Sequence, residues 1–295
     1  MKRLSLIIAL GLLVVAGCQK KQDDAFPDPV PVFFHVSSES EDADILYWAV
    51  FDSDGTPVED GTTMTQEPGA FFNLTLSRNK AYKFAFWAQN SECTAYDRRK
   101  FASEGKVSVS YSGDANDESR DAFFGNLHDV IITEENESYY VELKRPLAQI
   151  NFLAKDYMSV EDVAAHKTLK SDFTISGLPS VLNCLDGTTD GSAYVKFTSA
   201  PVIADAYVVK DSETYAVYAM NYVLASENKE LRDVSVSFTH DLSDKPVTVT
   251  THNMPFQRNW KTNVIGNFFI ETASIDIVLM NGFNDDLEAN EYEAL

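Results

Sequence analysis

Cys18 is the residue whose position most plainly announces a reaction. Lys2 and Arg3 open the chain, Leu4 to Val15 are almost wholly apolar, and Ala16 and Gly17 lead directly into the cysteine. That order is a secretory signal ending in a lipobox. It predicts acylation of the Cys18 sulfur and cleavage on its N-terminal side, making 1–17 a signal peptide and Cys18 the first residue of the mature chain. The apolar run, about 12 residues, is too short to span a bilayer. Several acyl chains on one residue would give lasting attachment, each buried methylene contributing roughly 0.8 kcal/mol.

Other groups with chemical potential are weaker. Asp52 to Gly55 reads DSDG, which resembles the start of a calcium loop, yet the twelfth position is Thr63 and not glutamate. An Asp-Gly pair after an apolar strand is a hairpin turn, and DGTTDGS, Asp186 to Ser192, reads the same way. Gly113 to Ser119, GDANDES, gathers acids and an asparagine that suit either a solvated loop or a cation. The five histidines, at 35, 128, 166, 240 and 252, have no zinc-type spacing. No nucleophile elbow, phosphate loop or dinucleotide fingerprint occurs, so no catalytic residue, metal ligand or cofactor is assigned and an enzyme is not expected. The basic cluster DRRK, Asp97 to Lys100, fits an exposed turn, a protease-sensitive loop or a contact for an acidic partner. Trp48 and Trp87 lie in apolar strands and read as core. Trp260, among Arg258, Asn259, Lys261 and Asn263, is the candidate ligand contact, with Arg258 beside it.

The chain that must position these groups is acidic, with net charge −21, 44% hydrophobic and 12% aromatic residues. Such a surface repels nucleic acid and anionic lipid, while the apolar content suffices for a packed core. Removing Lys2 and Arg3 with the signal would deepen the acid excess. Cys93 and Cys184 fall on opposite sides of the boundary drawn below and read as separate, partly buried thiols, an inter-domain bridge being the alternative.

Residues 18–31, charged and then proline-rich, read as a tether. Beyond them, short segments alternate apolar and polar residues or carry aromatic and β-branched runs: VFFHV, ILYWAVF, FFNLTL, YKFAFWA, VSVSY, DVIIT and YYVEL, then LAQINFLA, DFTISG, VLNCL, AYVKF, TYAVYAM, VSVSFT, PVTVTT, NVIGNFFI and SIDIVLM. Tyr82, Phe84 and Phe86 alternate with Lys83, Ala85 and Trp87, which predicts one buried face. One short helix is expected over MSVEDVAAHKTL, where Ser159 and Asp162 have capping-box spacing. Pro146 suits a crossover better than a central strand, placing a boundary between 32–144 and 145–280, with 281–295 an acidic tail.

The blocks YKFAFWAQ, ANDESRDAFFGN, VELKRPLAQINF, NYVLA and MPFQRNWKTNVIGN resemble those of fimbrillin-like lipoproteins of Gram-negative anaerobes, in a branch assigned to a domain of unknown function. The resemblance implies a mainly β chain of two β-sandwich domains of transthyretin-like topology, with Arg145 and Ala148 opening the second. It implies an outer-membrane, cell-surface lipoprotein, for which Asp23 and Asp24 look like an export signal. Its role would be that of a pilus anchor, tip, accessory subunit or adhesin, with other fimbrial subunits or surface proteins as partners. Strand donation is the associated mechanism, in which an extended segment completes a neighbour's sheet. The candidate donor is SIDIVLM through Ile275, Ile277 and Leu279, which otherwise is simply the last strand. Fimbrillins that polymerise are matured by a trypsin-like cut beyond the first strand. From Gln22 to Ser77 there is no Arg or Lys, against twelve acids, so the first strand is expected to stay. The alternative role is a glycan-binding surface lipoprotein serving an outer-membrane transporter.

Overall fold

The structure, a computed structural model, describes residues 29–40, 42–66, 69–113, 117–133, 137–155, 170–201, 207–210, 213–239, 247–268, 275–281 and 289–292. The chain is mainly β. Its first half runs β1 (Pro29–Ser37), β2 (Ile45–Asp52), β3 (Pro57–Met64), β4 (Ala70–Ser77), β5 (Ala81–Gln89), β6 (Tyr96–Asp97), α1 (Phe101–Glu104), β7 (Lys106–Val109), β8 (Ser112–Gly113), β9 (Ala122–Ile131) and β10 (Glu137–Glu142). Then come β11 (Leu147–Ala154), β12 (Lys170–Leu178), β13 (Val181–Asn183), β14 (Thr189–Asp190), β15 (Ala193–Pro201), β16 (Tyr207–Lys210), β17 (Glu213–Leu224), β18 (Glu230–Thr239), β19 (Val247–Phe256), β20 (Trp260–Gly266), β21 (Ile275–Asn281) and β22 (Ala289–Tyr292).

β1 is the middle strand of the sheet β10-β1-β4, parallel to β10 and antiparallel to β4. Val30, Val32, Phe34 and Val36 turn inward and are buried, while Pro29, Pro31, Phe33 and His35 take the other face. Two prolines in a strand need a neighbour that asks nothing of their missing N–H. The parallel partner begins only at Val32, opposite Glu137, so neither proline has to donate to it. Facing this sheet is β3-β2-β5-β9, and the two enclose a core of Val32, Phe34, Leu46, Val50, Phe84, Phe86 and Phe123 among others.

The expectation of one buried face on YKFAFWA is corrected by β5. Tyr82, Phe84 and Phe86 fill that first core, while Ala85 and Trp87 on the opposite side enter a second cluster with Met220, Leu224 and Ile265 from the far half of the chain. The sheet containing β5 is therefore an inner layer, and an inner strand has no solvent face for polar alternation to mark. A third core lies between β16-β17-β11-β20-β21-β22 and β19-β18-β12-β15-β8, built on Ile150, Phe152, Val223, Val236, Phe238 and Val264.

Strands on either side of residue 145 pair with each other. β7 pairs with β13 and β8 with β15, and Tyr111 donates to the Pro179 carbonyl at 2.5 Å and accepts from the Leu224 N–H at 3.0 Å. Arg145 ties the same region. Its guanidinium is buried, binds both oxygens of Asp121 at 2.6 and 2.8 Å, reaches Asn259 at 2.9 Å and Glu39 at 3.3 Å, and lies 4.7 Å from the Phe123 ring centroid.

The short helix α1 directly follows the basic cluster of Asp97 to Lys100, with Lys100 at its N-cap. It closes after one turn because Gly105 adopts φ 67° and its N–H returns to the Phe101 carbonyl. The helix expected over MSVEDVAAHKTL lies outside the described residues.

Candidate interaction surface

The outer face of β10-β1-β4 carries side chains that the core does not use. Cross-strand register sets Tyr140 opposite His35 and His35 opposite Phe71, giving an aromatic row across three strands. The next row is Ser138, Phe33 and Asn73. His35 and Phe71 stack at 4.3 Å with planes 11° apart, and Tyr140 meets His35 edge-on at 5.5 Å. Phe33, Phe71 and Tyr140 remain 39%, 59% and 76% exposed. Such rings on a sheet face are an unfilled contact surface. They line a shallow concavity of about 360 Å³ with Phe34, Phe72, Asn73, Ser138 and Tyr139, none of them Asp, Glu, Lys or Arg.

Round the end of the same strand, a cleft of about 470 Å³ opens between the two sheets of the first sandwich. Val36, Ala43, Leu46 and Leu143 floor it, and Ser37, Ser38, Glu39, Thr65 and Gln66 rim it. β1 thus contributes to the core, the aromatic face and the cleft.

The residues singled out by sequence are not assembled here. Cys18 lies outside the described residues. Arg258 is buried, donating to the Gly187 carbonyl at 2.7 Å and the Ala225 carbonyl at 3.3 Å, and it lies over Phe124 at 5.0 Å. Its place is structural: it clamps one loop after β13 and another after β17. Trp260 is half-buried at the start of β20, its N–H closing a turn onto the Gln257 carbonyl at 3.1 Å. In β21, Ile275, Ile277 and Leu279 stand opposite Gly266, Val264 and Thr262 of β20, with β22 on the other side. The candidate donor is paired within its own chain, and Ile277 belongs to the third core.

The acidic motifs are turns or tied pairs. Asp54 accepts from the Thr56 N–H and hydroxyl, and its carboxyl is held down at about 2, first by its hydrogen bond with Asp52. Asp186 caps its turn by accepting from Thr188. In DRRK, the carboxylate of Asp97 is engaged by Arg99 and held at about 2 by that hydrogen bond, while Lys100 pairs with Glu104. Of GDANDES, residues 114–116 are outside the described set, and Asp117 caps the turn at Ser119 and pairs with Arg120 at 3.4 Å. Among the described residues no group of three or more His, Cys, Asp or Glu converges on a metal position. Cys93 and Cys184 are free, buried and members of the second cluster. Burial pushes both thiols up, away from thiolate chemistry.

Residues 47–294 match a family of unknown function, DUF6562. The chain belongs to this family. Comparison with curated proteins gives no match. Among solved structures, one provisionally assigned to polysaccharide binding, from Bacteroides thetaiotaomicron and the family DUF1812, is similar at 13% identity and TM-score 0.55, covering 90% of this chain and 98% of that one. The fimbrial anchor protein Mfa2 of Porphyromonas gingivalis gives 10% identity and TM-score 0.51, covering 85% of this chain and 97% of its own. The tip fimbrial protein Mfa3 of the same organism, truncated at its C-terminus, gives 9% and 0.50, covering 86% and 99%. At these identities the likeness is one of fold.

The aromatic row is not legible in the sequence because its members come from three separated strands. The available signal was VFFHV itself, where Phe33 and His35 alternate with Phe34 and Val36, so that a strand with one buried face carries rings on the other.

Proposed function

We propose that the protein is a surface subunit of the fimbrial or adhesin type that keeps its first strand, acts by association and not by catalysis, and serves as an anchor, tip or accessory component. Lipid attachment at Cys18 would hold it to the outer membrane. The observation that carries the reading is the place of β1. A middle strand with four inward apolar side chains cannot leave without breaking two ladders and uncovering Val30, Val32, Phe34 and Val36, at roughly 1.5–3 kcal/mol for each side chain returned to water. A trypsin-like enzyme finds no site between Lys21 and Arg78. Cutting after Lys21 spares β1, and cutting after Arg78 removes β1 through β4 together.

The two units proposed for this chain, 32–144 and 145–280, are held by exchanged strands and by Arg145, so they would move as a unit in any assembly. The β21 segment is already paired at home with β20 and β22, which disfavours a component that donates by this segment. N-terminal sequencing and intact mass of protein recovered from the cell surface test the proposal. The expected start lies before Pro29; a chain beginning between residues 37 and 79 overturns it.

A further inference from the structure

We infer that the aromatic face of β10-β1-β4 is a binding site for a neutral saccharide, with Phe71, Tyr140 and Phe33 as contact rings and Asn73, Ser138 and the Tyr140 hydroxyl as hydrogen-bonding groups. The site is independent of whether the protein enters a pilus.

A pyranose ring has an apolar face of C–H groups whose hydrogens are slightly positive, and a rim of hydroxyls. The first meets the negative π face of an aromatic ring, and the second needs amides and hydroxyls at its edge. Both kinds of group are interleaved here by register: Phe33 lies between Ser138 and Asn73 in one row, next to the row of Tyr140, His35 and Phe71. His35 fixes the spacing, since its stack at 4.3 Å holds Phe71 upright and its edge contact holds Tyr140. Phe71 sits on the edge strand β4, so the ring side turned from His35 is uncovered. Among the described residues, none takes a side-chain hydrogen bond from Asn73, Ser138 or Tyr140.

Charge selects the occupant. No lining residue is Asp, Glu, Lys or Arg, in a chain that is 23% charged overall. A site with no Lys or Arg, and His35 held between two rings as its one basic group, has no fixed cation to hold a sulfated or uronic polymer, and the net charge of −21 repels one. The same charge opposes a second copy of this chain, because the face offers no Lys or Arg to meet the partner's acids. A hydroxyl-rich neutral ligand pays neither penalty, and a concavity of about 360 Å³ is in the range of small-ligand sites.

Affinity electrophoresis tests this with the full chain in a non-glycosidic detergent, run through gels containing mannan, xylan, β-glucan or, as the anionic control, polygalacturonate. At least one neutral polymer should retard the wild type and polygalacturonate should not. Phe71→Ala and Tyr140→Ala should each weaken retardation about tenfold, as loss of about 1.4 kcal/mol of ring contact implies. Both residues are more than half exposed, so melting temperatures should fall by no more than a few degrees, the share of the contact with His35, and Phe71→Tyr should keep binding. Wild-type mobility unchanged in every neutral gel overturns the assignment, as do Ala variants that bind like wild type. Sedimentation showing a dimer that Tyr140→Ala dissolves would give the face to a second copy instead.

Discussion

Replacing Arg145 with Met should destabilise the protein by about 3–5 kcal/mol, the usual cost of removing one member of a buried ion pair. The magnitude follows from what stays behind. Asp121 is nearly buried and loses two charge-assisted bonds, of 2.6 and 2.8 Å. Asn259 loses the donor at 2.9 Å, and Phe123 loses the cation over its ring. Glu39 is half-exposed and 3.3 Å away, so water replaces the arginine there at little cost. Met restores most of the apolar stem volume, which confines the loss to the polar head.

Urea unfolding of the full chain, followed by far-UV circular dichroism and by tryptophan fluorescence, measures the effect. Thermal melting should fall on the order of 10 °C, at a few degrees per kcal/mol for a chain of this size. Asp121→Leu combined with Arg145→Met should recover much of the loss, because no charge is then stranded. The exposed pair Arg99–Asp97 is the control: Asp97→Asn should leave the urea midpoint where it is, because solvent screens that pair. An Arg145→Met protein within about 1 kcal/mol of wild type, or strictly additive losses in the double variant, would refute the placing of this arginine at the junction.

Two further outcomes follow from single residues. Asn221 is buried between Ala219 and Val223 on the face of β17 that builds the third core, and among the described residues neither of its amide atoms has a partner; Asn221→Leu should raise stability by about 1–3 kcal/mol, and a lowered urea midpoint would contradict that. Cys18→Ala should move the protein from the membrane pellet to the soluble fraction, since acylation is the proposed anchor; retention in the pellet would remove the lipid from the account.

Most strands are legible because a half-buried strand writes its alternation into the chain. VFFHV, ILYWAVF and FFNLTL fall within β1, β2 and β4. Legibility fails where that condition fails. β3, PVEDGTTM, is almost entirely solvated and contains Gly61, which reads as a break; the glycine is required because the Trp48 ring crosses it, 2.4 Å from where a Cβ would stand. β22 hides in the acidic tail, where Ala289–Tyr292 shows no apolar alternation although it pairs with β21, Ile277 opposite Tyr292. At the opposite extreme, β11 is buried along its whole length, and its polar Gln149 and Asn151 face Tyr222 and Asn263, so composition there reports a hydrogen-bonded interior and not a surface. Arg258 reads as a ligand contact from its neighbours Asn259 and Trp260, because the groups that bury it, Gly187, Ala225 and Phe124, come from distant parts of the chain.

The proposed retention of the first strand and the proposed saccharide site have one physical origin. β1 places Phe34 in the core and, one residue to either side, Phe33 and His35 on the outer face. A cut that removed it would uncover the core and also split the aromatic row, since Tyr140 and Phe71 touch only through His35. β10 would then have no partner in its sheet, because β1 is the strand that joins it to β4. A polymerising subunit gains from such a gap because a neighbour's strand can fill it, but the incoming strand would have to reproduce rings on one face and aliphatic side chains on the other. The lack of Arg and Lys from Gln22 to Ser77 would therefore protect the proposed contact surface as well as the fold. A subunit whose binding face depends on its own first strand is suited to the end or base of an assembly, where that strand is never exchanged.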